Sequence, residues 1–422
     1  MKTLLNSAFR LGTGEAVSRL ASFALYAYIS RYYGVELLGV VALAQTISTY
    51  VTMGTDQGLR MIGARTVAKY PSAARSLIPE IVRKRLICCA ACVLVACLYA
   101  LWGPVPTLAR WYVLGFALAV IPYAFSLDWL AWGLDHLGWL GFWRGAVGVL
   151  FVTGAIAGIR LTRSPLPSLT IANAGSAVAG ASLMWLLWRF RWQSRCIGAQ
   201  ISPQELQNAV RWAVVLPLGI STMLNLMFNS FDTVMLAAMT SAREVGRYSA
   251  AYKILFIVFG AYYLITQSLY PKLSRATREA HLRRMLRMAI GLVIVVGAMT
   301  ATLISISSGL ILHLVYGSDL GSVRVLQLLS IAIPMDFVAA LLGTVMVSRG
   351  HDKPVLWGAL SATAGNIGLN LWLIPRWGAT GAAWATLLSY GILLGAYGVS
   401  YRIRPLFVER QPTMNAAEMA AS

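Results

Sequence analysis

The sequence predicts an all-α polytopic membrane protein of twelve transmembrane helices, divided six and six. Three observations predict it. Apolar stretches recur along the 422 residues, most of them near the ~20 residues that cross a bilayer. Charged residues make up only 12% of the chain, against about 25% in a soluble domain. Lys and Arg crowd into every second gap between the stretches, the asymmetry that sets orientation in a membrane.

In order, the stretches run 12–32, 37–55, 86–103, 110–131, 140–159, 168–188, 212–239, 248–269, 289–314, 323–347, 355–374 and 380–400. The first follows residues that carry Lys2 and Arg10 but no apolar core. No small-residue cleavage site comes after it, so it is expected to remain as an anchor. The third holds Cys88, Cys89, Cys92 and Cys97, while Cys196 falls in a loop and His136, His281, His313 and His351 are scattered. These cysteines read as small packing residues, with no disulfide framework, no metal and no cofactor expected. The tenth carries Asp336 just after the helix-kinking Pro334. The polar loop 189–211 separates the sixth stretch from the seventh, giving one bundle over 1–200 and a second over 201–422 with a short cytoplasmic tail.

The two halves share a pattern. GVELLGVVALAQ (34–45) joins the first two stretches and SAREVGRYSAAY (241–252) joins the seventh and eighth; each places Glu ahead of Gly at a tight turn. Long basic loops follow at 56–85 and 270–288. Because each half has an even number of spans, the repeat is parallel, a transporter signature with the substrate site between the halves.

Of the 35 basic residues, Arg31, Arg110, Arg160, Arg163, Arg243, Arg247, Arg324 and Arg376 fall in one set of gaps and helix ends, while Arg19 and Lys253 fall inside spans. The rest occupy the other set, which the positive-inside rule makes cytoplasmic, with both termini. The net charge of +20 is spread over short loops without a nucleic-acid-binding motif. Anionic phospholipids are the expected partner of that face, not nucleic acid.

Ionisable groups inside spans rarely face lipid, so their spacing outlines a polar surface. Glu15, Arg19, Ser22 and Tyr26 make one stripe of the first helix; Gln45, Thr49, Thr52 and Asp56 repeat it on the second, and Thr222, Asn225, Asn229 and Asp232 on the seventh. The eighth adds Lys253, Tyr263, Gln267 and Tyr270. Depth places Glu15, Arg19 and Asp56 near the cytoplasmic side and Asp232 with Lys253 toward the outside, where an interhelical bridge between them is expected. Glu15 with Arg19 is an i,i+4 pair. Asn366 and Asn370 read as packing residues, and Asp336 as a candidate for ion coupling.

The first sixty residues, FDTVMLAAMTSAREVGRYSAAYKI (231–254) and GHDKPVLWGALSATAGNIGLNLWLIPRWGATGAAWAT (350–386) resemble the polysaccharide biosynthesis proteins that flip lipid-linked oligosaccharides, within the multidrug/oligosaccharidyl-lipid/polysaccharide exporter superfamily. The resemblance implies two six-helix bundles in a V, with helices 1, 2, 7 and 8 around a central cavity. It implies a non-enzymatic inner-membrane flippase for a polyprenyl-diphosphate-linked oligosaccharide destined for O-antigen of lipopolysaccharide, capsule or exopolysaccharide, working beside polymerase and chain-length machinery. Arg19 and Lys253 would hold the diphosphate in turn as gates alternate, and Glu15, Ser22, Tyr26, Thr49, Asp56, Asn225, Asn229, Asp232 and Gln267 would complete the cavity. A cation-coupled drug antiporter of the same fold competes; a membrane glycosyltransferase or polymerase is disfavoured by short outer loops and the absence of an Asp-x-Asp motif.

Overall fold

The computed structural model describes residues 2–403 apart from 194–201, 203, 206, 207, 209, 276–278, 319 and 349–351; the side chains of 2–11, 225, 261, 263–285 and 401–403 also fall outside the description. The expected boundary at 200/201 lies outside the described residues.

The described residues are helical apart from short turns and connections. In the first half come α1 (Lys2–Asp56), α2 (Leu59–Lys69), α3 (Ala74–Trp102), α4 (Thr107–Leu118), α5 (Asp128–Gly133), α6 (Leu137–Thr162) and α7 (Pro165–Leu187). The second half holds α8 (Trp212–Met239), α9 (Ala242–Arg275), α10 (Glu279–Ile306), α11 (Ser308–Tyr316), α12 (Val323–Ser348) and α13 (Asp352–Ile403). Among the described residues, 8 helical stretches are long and apolar enough to cross a membrane. Two of these are double, because α1 breaks at Gly34 (φ +82) and α13 at Gly378 (φ +52), in the left-handed region that glycine enters without strain. With α8, bent by 53° near Leu224, and the 34-residue α9, the described residues supply the twelve expected limbs.

In the first half α1 packs on α6, α4 and α3, and α6 on α7; in the second, α12 packs on α10, α13 and α9, and α8 on α13. The halves meet where α1 lies against α8 and α9. On the side of Gly34 and Gly378, the second limb of α1 crosses α9 main chain to main chain. A Cβ on Gly39 would collide with the Ala242 carbonyl oxygen, and one on Gly246 with that of Val35. This crossing is built from the repeated Glu-before-Gly turns, each half supplying the same parts. Beside it, Arg31 donates to the Leu314 and Val315 carbonyls at the C-terminal end of α11.

The segment expected as a basic loop at 56–85 is instead largely helical, forming α2 and the first turns of α3. The cause is charge pairing. Arg85 is fully buried, with its Nη2 2.5 Å from Asp56 Oδ1 and 3.3 Å from Asp128 Oδ1, and Arg60 Nε lies 3.1 Å from Asp128 Oδ2. Asp128 itself stands on α5, past the end of the apolar stretch Thr107–Phe125. Two acids and two guanidiniums cancel, so the chain can fold back into helix where a solvated loop was expected.

Candidate functional site

The first limb of α1 and the start of α9 bring Glu15, Arg19, Tyr26 and Lys253 together around Phe256. Glu15 Oε1 lies 3.3 Å from Arg19 Nε, the expected i,i+4 pair, and Oε2 lies 3.1 Å from Arg144 Nη1 on α6. Held along its Nε edge, Arg19 points its terminal nitrogens at α9. Its Nη1 is 3.4 Å from the Phe256 carbonyl oxygen, and its Cζ sits 4.3 Å from the centre of the Phe256 ring. Lys253 Nζ stands 4.4 Å from the Tyr26 ring centre and 6.0 Å from that of Phe256. Tyr26 is fixed in turn by donating its hydroxyl to Gln45 Oε1 at 2.5 Å.

Two cations, one from each half, therefore share one aromatic ring. Phe256 is 40% exposed, so the ring between them borders open space. A cation–π contact is made to the ring face and does not itself use the N–H protons, although Arg19 Nε and Nη1 already donate to Glu15 and the Phe256 carbonyl. Among the described residues no carboxylate forms an ion pair with Lys253. The arrangement suits a compact anion with several acceptor oxygens.

The expected bridge between Asp232 and Lys253 is not formed. Asp232, 2% exposed, accepts hydrogen bonds from Tyr248 at 2.6 Å, Asn370 at 2.6 Å and Thr386 at 2.9 Å. Matched height along two helices does not fix which way a side chain turns, and neutral donors from α9 and α13 surround this carboxylate. Arg19 and Lys253 both reach Phe256, at 4.3 and 6.0 Å, with Lys253 closer to Tyr26, two turns along α1 from Arg19. Asp56 belongs to the Arg85 network and not to this cluster.

The remaining expected residues are dispersed. Ser22 and Thr49 are half-buried, and the Thr49 hydroxyl donates to the Gln45 carbonyl of its own helix. The Asn229 carbonyl accepts from the Tyr252 hydroxyl at 2.8 Å. The side chains of Asn225 and Gln267 lie outside the described residues. Asp336 is half-buried beside the Tyr390 hydroxyl. Asn366 and Asn370 are buried and joined at 2.9 Å, as packing residues should be, although Asn370 also serves Asp232. Arg144 and Phe256 were missed: Arg144 lies near a helix start, where a basic residue reads as a loop charge, and Phe256 in an apolar run looks like any core residue.

A multi-pass membrane protein with the two-bundle exporter fold is thus defined, with a cationic cluster between its halves. The chain belongs to the polysaccharide biosynthesis protein family, whose model matches residues 4–277. No curated protein is significantly similar to it. Among solved structures, the lipid II flippase MurJ in an inward closed conformation has a TM-score of 0.72 at 13% identity, covering 93% of this chain and 87% of that one. The MATE multidrug transporter DinF-BH has a TM-score of 0.66 at 16% identity, covering 96% of each chain. A point mutant of the Vibrio cholerae MATE transporter VcmN has 0.58 at 17% identity, covering 96% of this chain and 98% of that one. At these identities the likeness concerns the fold.

Proposed function

We propose that the protein flips a polyprenyl-diphosphate-linked oligosaccharide from the cytoplasmic to the outer leaflet of a bacterial inner membrane, for assembly of O-antigen, capsule or exopolysaccharide. The observation that carries this reading is the pair of cations, Arg19 and Lys253, flanking Phe256 from opposite halves. Family membership and the fold shared with a lipid II flippase support it. The basic loops face the cytoplasm with both termini, and the crossing at Gly39 and Gly246 closes the outer side.

The Arg19 fork takes two phosphate oxygens while Glu15 keeps its pairing with Arg144. Lys253 adds a second, compact charge. Because each half supplies one cation beside the same ring, the diphosphate is shared between the halves and the balance shifts as they rock, with the polyprenyl tail left in the bilayer. Asn225, Asn229, Thr49, Ser22 and Gln267 serve the sugar, Asp336 is the candidate for proton or sodium coupling, and polymerase or chain-length machinery takes the flipped unit.

A second reading, an organic-cation exporter, is favoured by the carboxylates Asp232 and Asp336 in the second half. Arg19→Gln separates the two. It abolishes surface-glycan complementation at near-normal protein level if an anion is carried, and Arg19→Lys keeps part of it. For a cation exporter, removing a repelling charge maintains or raises efflux of a lipophilic cation. Unchanged glycan display in well-expressed Arg19→Gln removes the cation pair from the mechanism.

A further inference from the structure

A groove lies on the first half, away from the Phe256 cluster. Near one end α4 and α7 touch, since a Cβ on Gly115 would collide with the Thr170 side chain. Farther along, α4 ends at Leu118 and the chain tightens into a 3-10 turn over Ile121–Phe125, with Pro122 in its first turn. A 3-10 turn winds on a smaller radius than an α-helix. Between this turn and α7, which stay in contact, lies a groove of about 790 Å³.

The walls are apolar, formed by Ile121, Phe125, Val178 and Trp185, with Ser182 among them. The Trp185 indole donates to the Phe125 carbonyl at 2.9 Å and ties the walls together. Arg189 and Gln193 line the end toward the polar loop 189–211. There the helix widens into a π turn over Trp188–Trp192, a form often found at functional positions. Its two arginines differ. Arg191 lies over the Trp139 ring at 5.5 Å, whereas Arg189 is exposed and forms no ion pair with any described residue.

We propose that this groove binds one anionic phospholipid, with an acyl chain between α4 and α7 and the headgroup phosphate on Arg189. The groove opens between two membrane spans, so the bilayer supplies the occupant directly. From Val178 to Arg189 the helix rises about 16 Å, close to the depth of one leaflet's hydrocarbon, about 15 Å. Trp185 and Trp188 near the charged end mark the interfacial level at which a phosphate sits. The positive charge of Arg189 selects an anionic headgroup.

Native mass spectrometry of the purified full-length protein tests this with phosphatidylglycerol and phosphatidylcholine added in turn. The wild type is expected to retain one phosphatidylglycerol in preference to phosphatidylcholine. Arg189→Gln loses that preference roughly tenfold, the loss of one charge-assisted contact. Ser182→Phe, which fills the groove from one wall, lowers retention of both lipids. Equal retention by the wild type and both variants overturns the site. Loss in Arg189→Gln with no change in Ser182→Phe reduces it to a surface charge and overturns the groove. Displacement of phosphatidylglycerol by equimolar polyprenyl diphosphate overturns the choice of occupant. Transport is not read in any arm, so failure of this proposal leaves the reading of the Phe256 cluster standing.

Discussion

Each half buries a carboxylate, but the two are satisfied by different means. In the first half Asp128 is held by the guanidiniums of Arg60 and Arg85, and Asp56 shares Arg85. In the second, Asp232 is held by a phenol, an amide and a hydroxyl, with no basic residue bonded to it among those described. The first arrangement balances charge against charge, so every member depends on the others. The second spreads one charge over neutral donors that have other partners: Tyr248 also meets Thr386 at 3.1 Å, Thr386 can donate to the Ala382 carbonyl at 2.9 Å, and Asn370 to Asn366 at 2.9 Å. The difference predicts which half suffers more from a single change.

The largest effect is expected at Arg85. Arg85→Leu leaves Asp56 and Asp128 sharing the one cation of Arg60, and breaking a buried pair costs about 3–5 kcal/mol. Unfolding in mixed micelles should show this loss, and a change below about 1 kcal/mol would mean that water already reaches the network. Acid provides a second readout. Burial alone would raise the Asp128 carboxyl, but Arg60 and Arg85 outweigh it and hold the group below its ordinary value. Its contribution is then fully present above the unfolded value of about 3.9 and is lost as pH falls through the lower, folded one. The wild type should lose stability over that acid window, and Arg85→Leu should lose less.

A smaller effect is expected at Asp232. Asp232→Ala removes a buried acceptor, and since its three donors have other partners the cost should be about 1–3 kcal/mol. A loss as large as that at Arg85 would show that the second half depends on its carboxylate charge as the first does. The smallest effect is at Glu15, whose side chain is 36% exposed in its pairs with Arg19 and Arg144. Glu15→Gln should cost less than about 1 kcal/mol, as partly exposed ion pairs do. A cost above about 2 kcal/mol would place it with the buried network.

The same contrast shows what was legible in the sequence. Apolar runs mark spans because lipid contact demands them, and 212–239 and 323–347 match α8 and α12 almost end to end. Stripe spacing brought out Glu15, Arg19 and Tyr26 because it reads one helix face. It could not pair Asp232 with Tyr248, Asn370 and Thr386, since spacing within a helix says nothing of how distant helices turn toward one another. The Arg85 network was hidden by its composition: a run of basic residues reads as a solvated loop. Its signal was an acid, Asp128, inside an expected span with an arginine, Arg85, at the mouth of another.

At its closest points the seam at Gly39 and Gly246 sets main chain against main chain. An interface of interlocked side chains must fix their rotamers each time it closes, at about 0.5–1.5 kcal/mol for each long side chain ordered. Carbonyl against glycine has nothing to fix. The seam therefore lets the two main chains meet at closest approach, while buried side chains such as Leu38 and Val245 pack around it. At its edge Arg31 of the first half adds a polar contact, donating to the last carbonyls of α11 in the second.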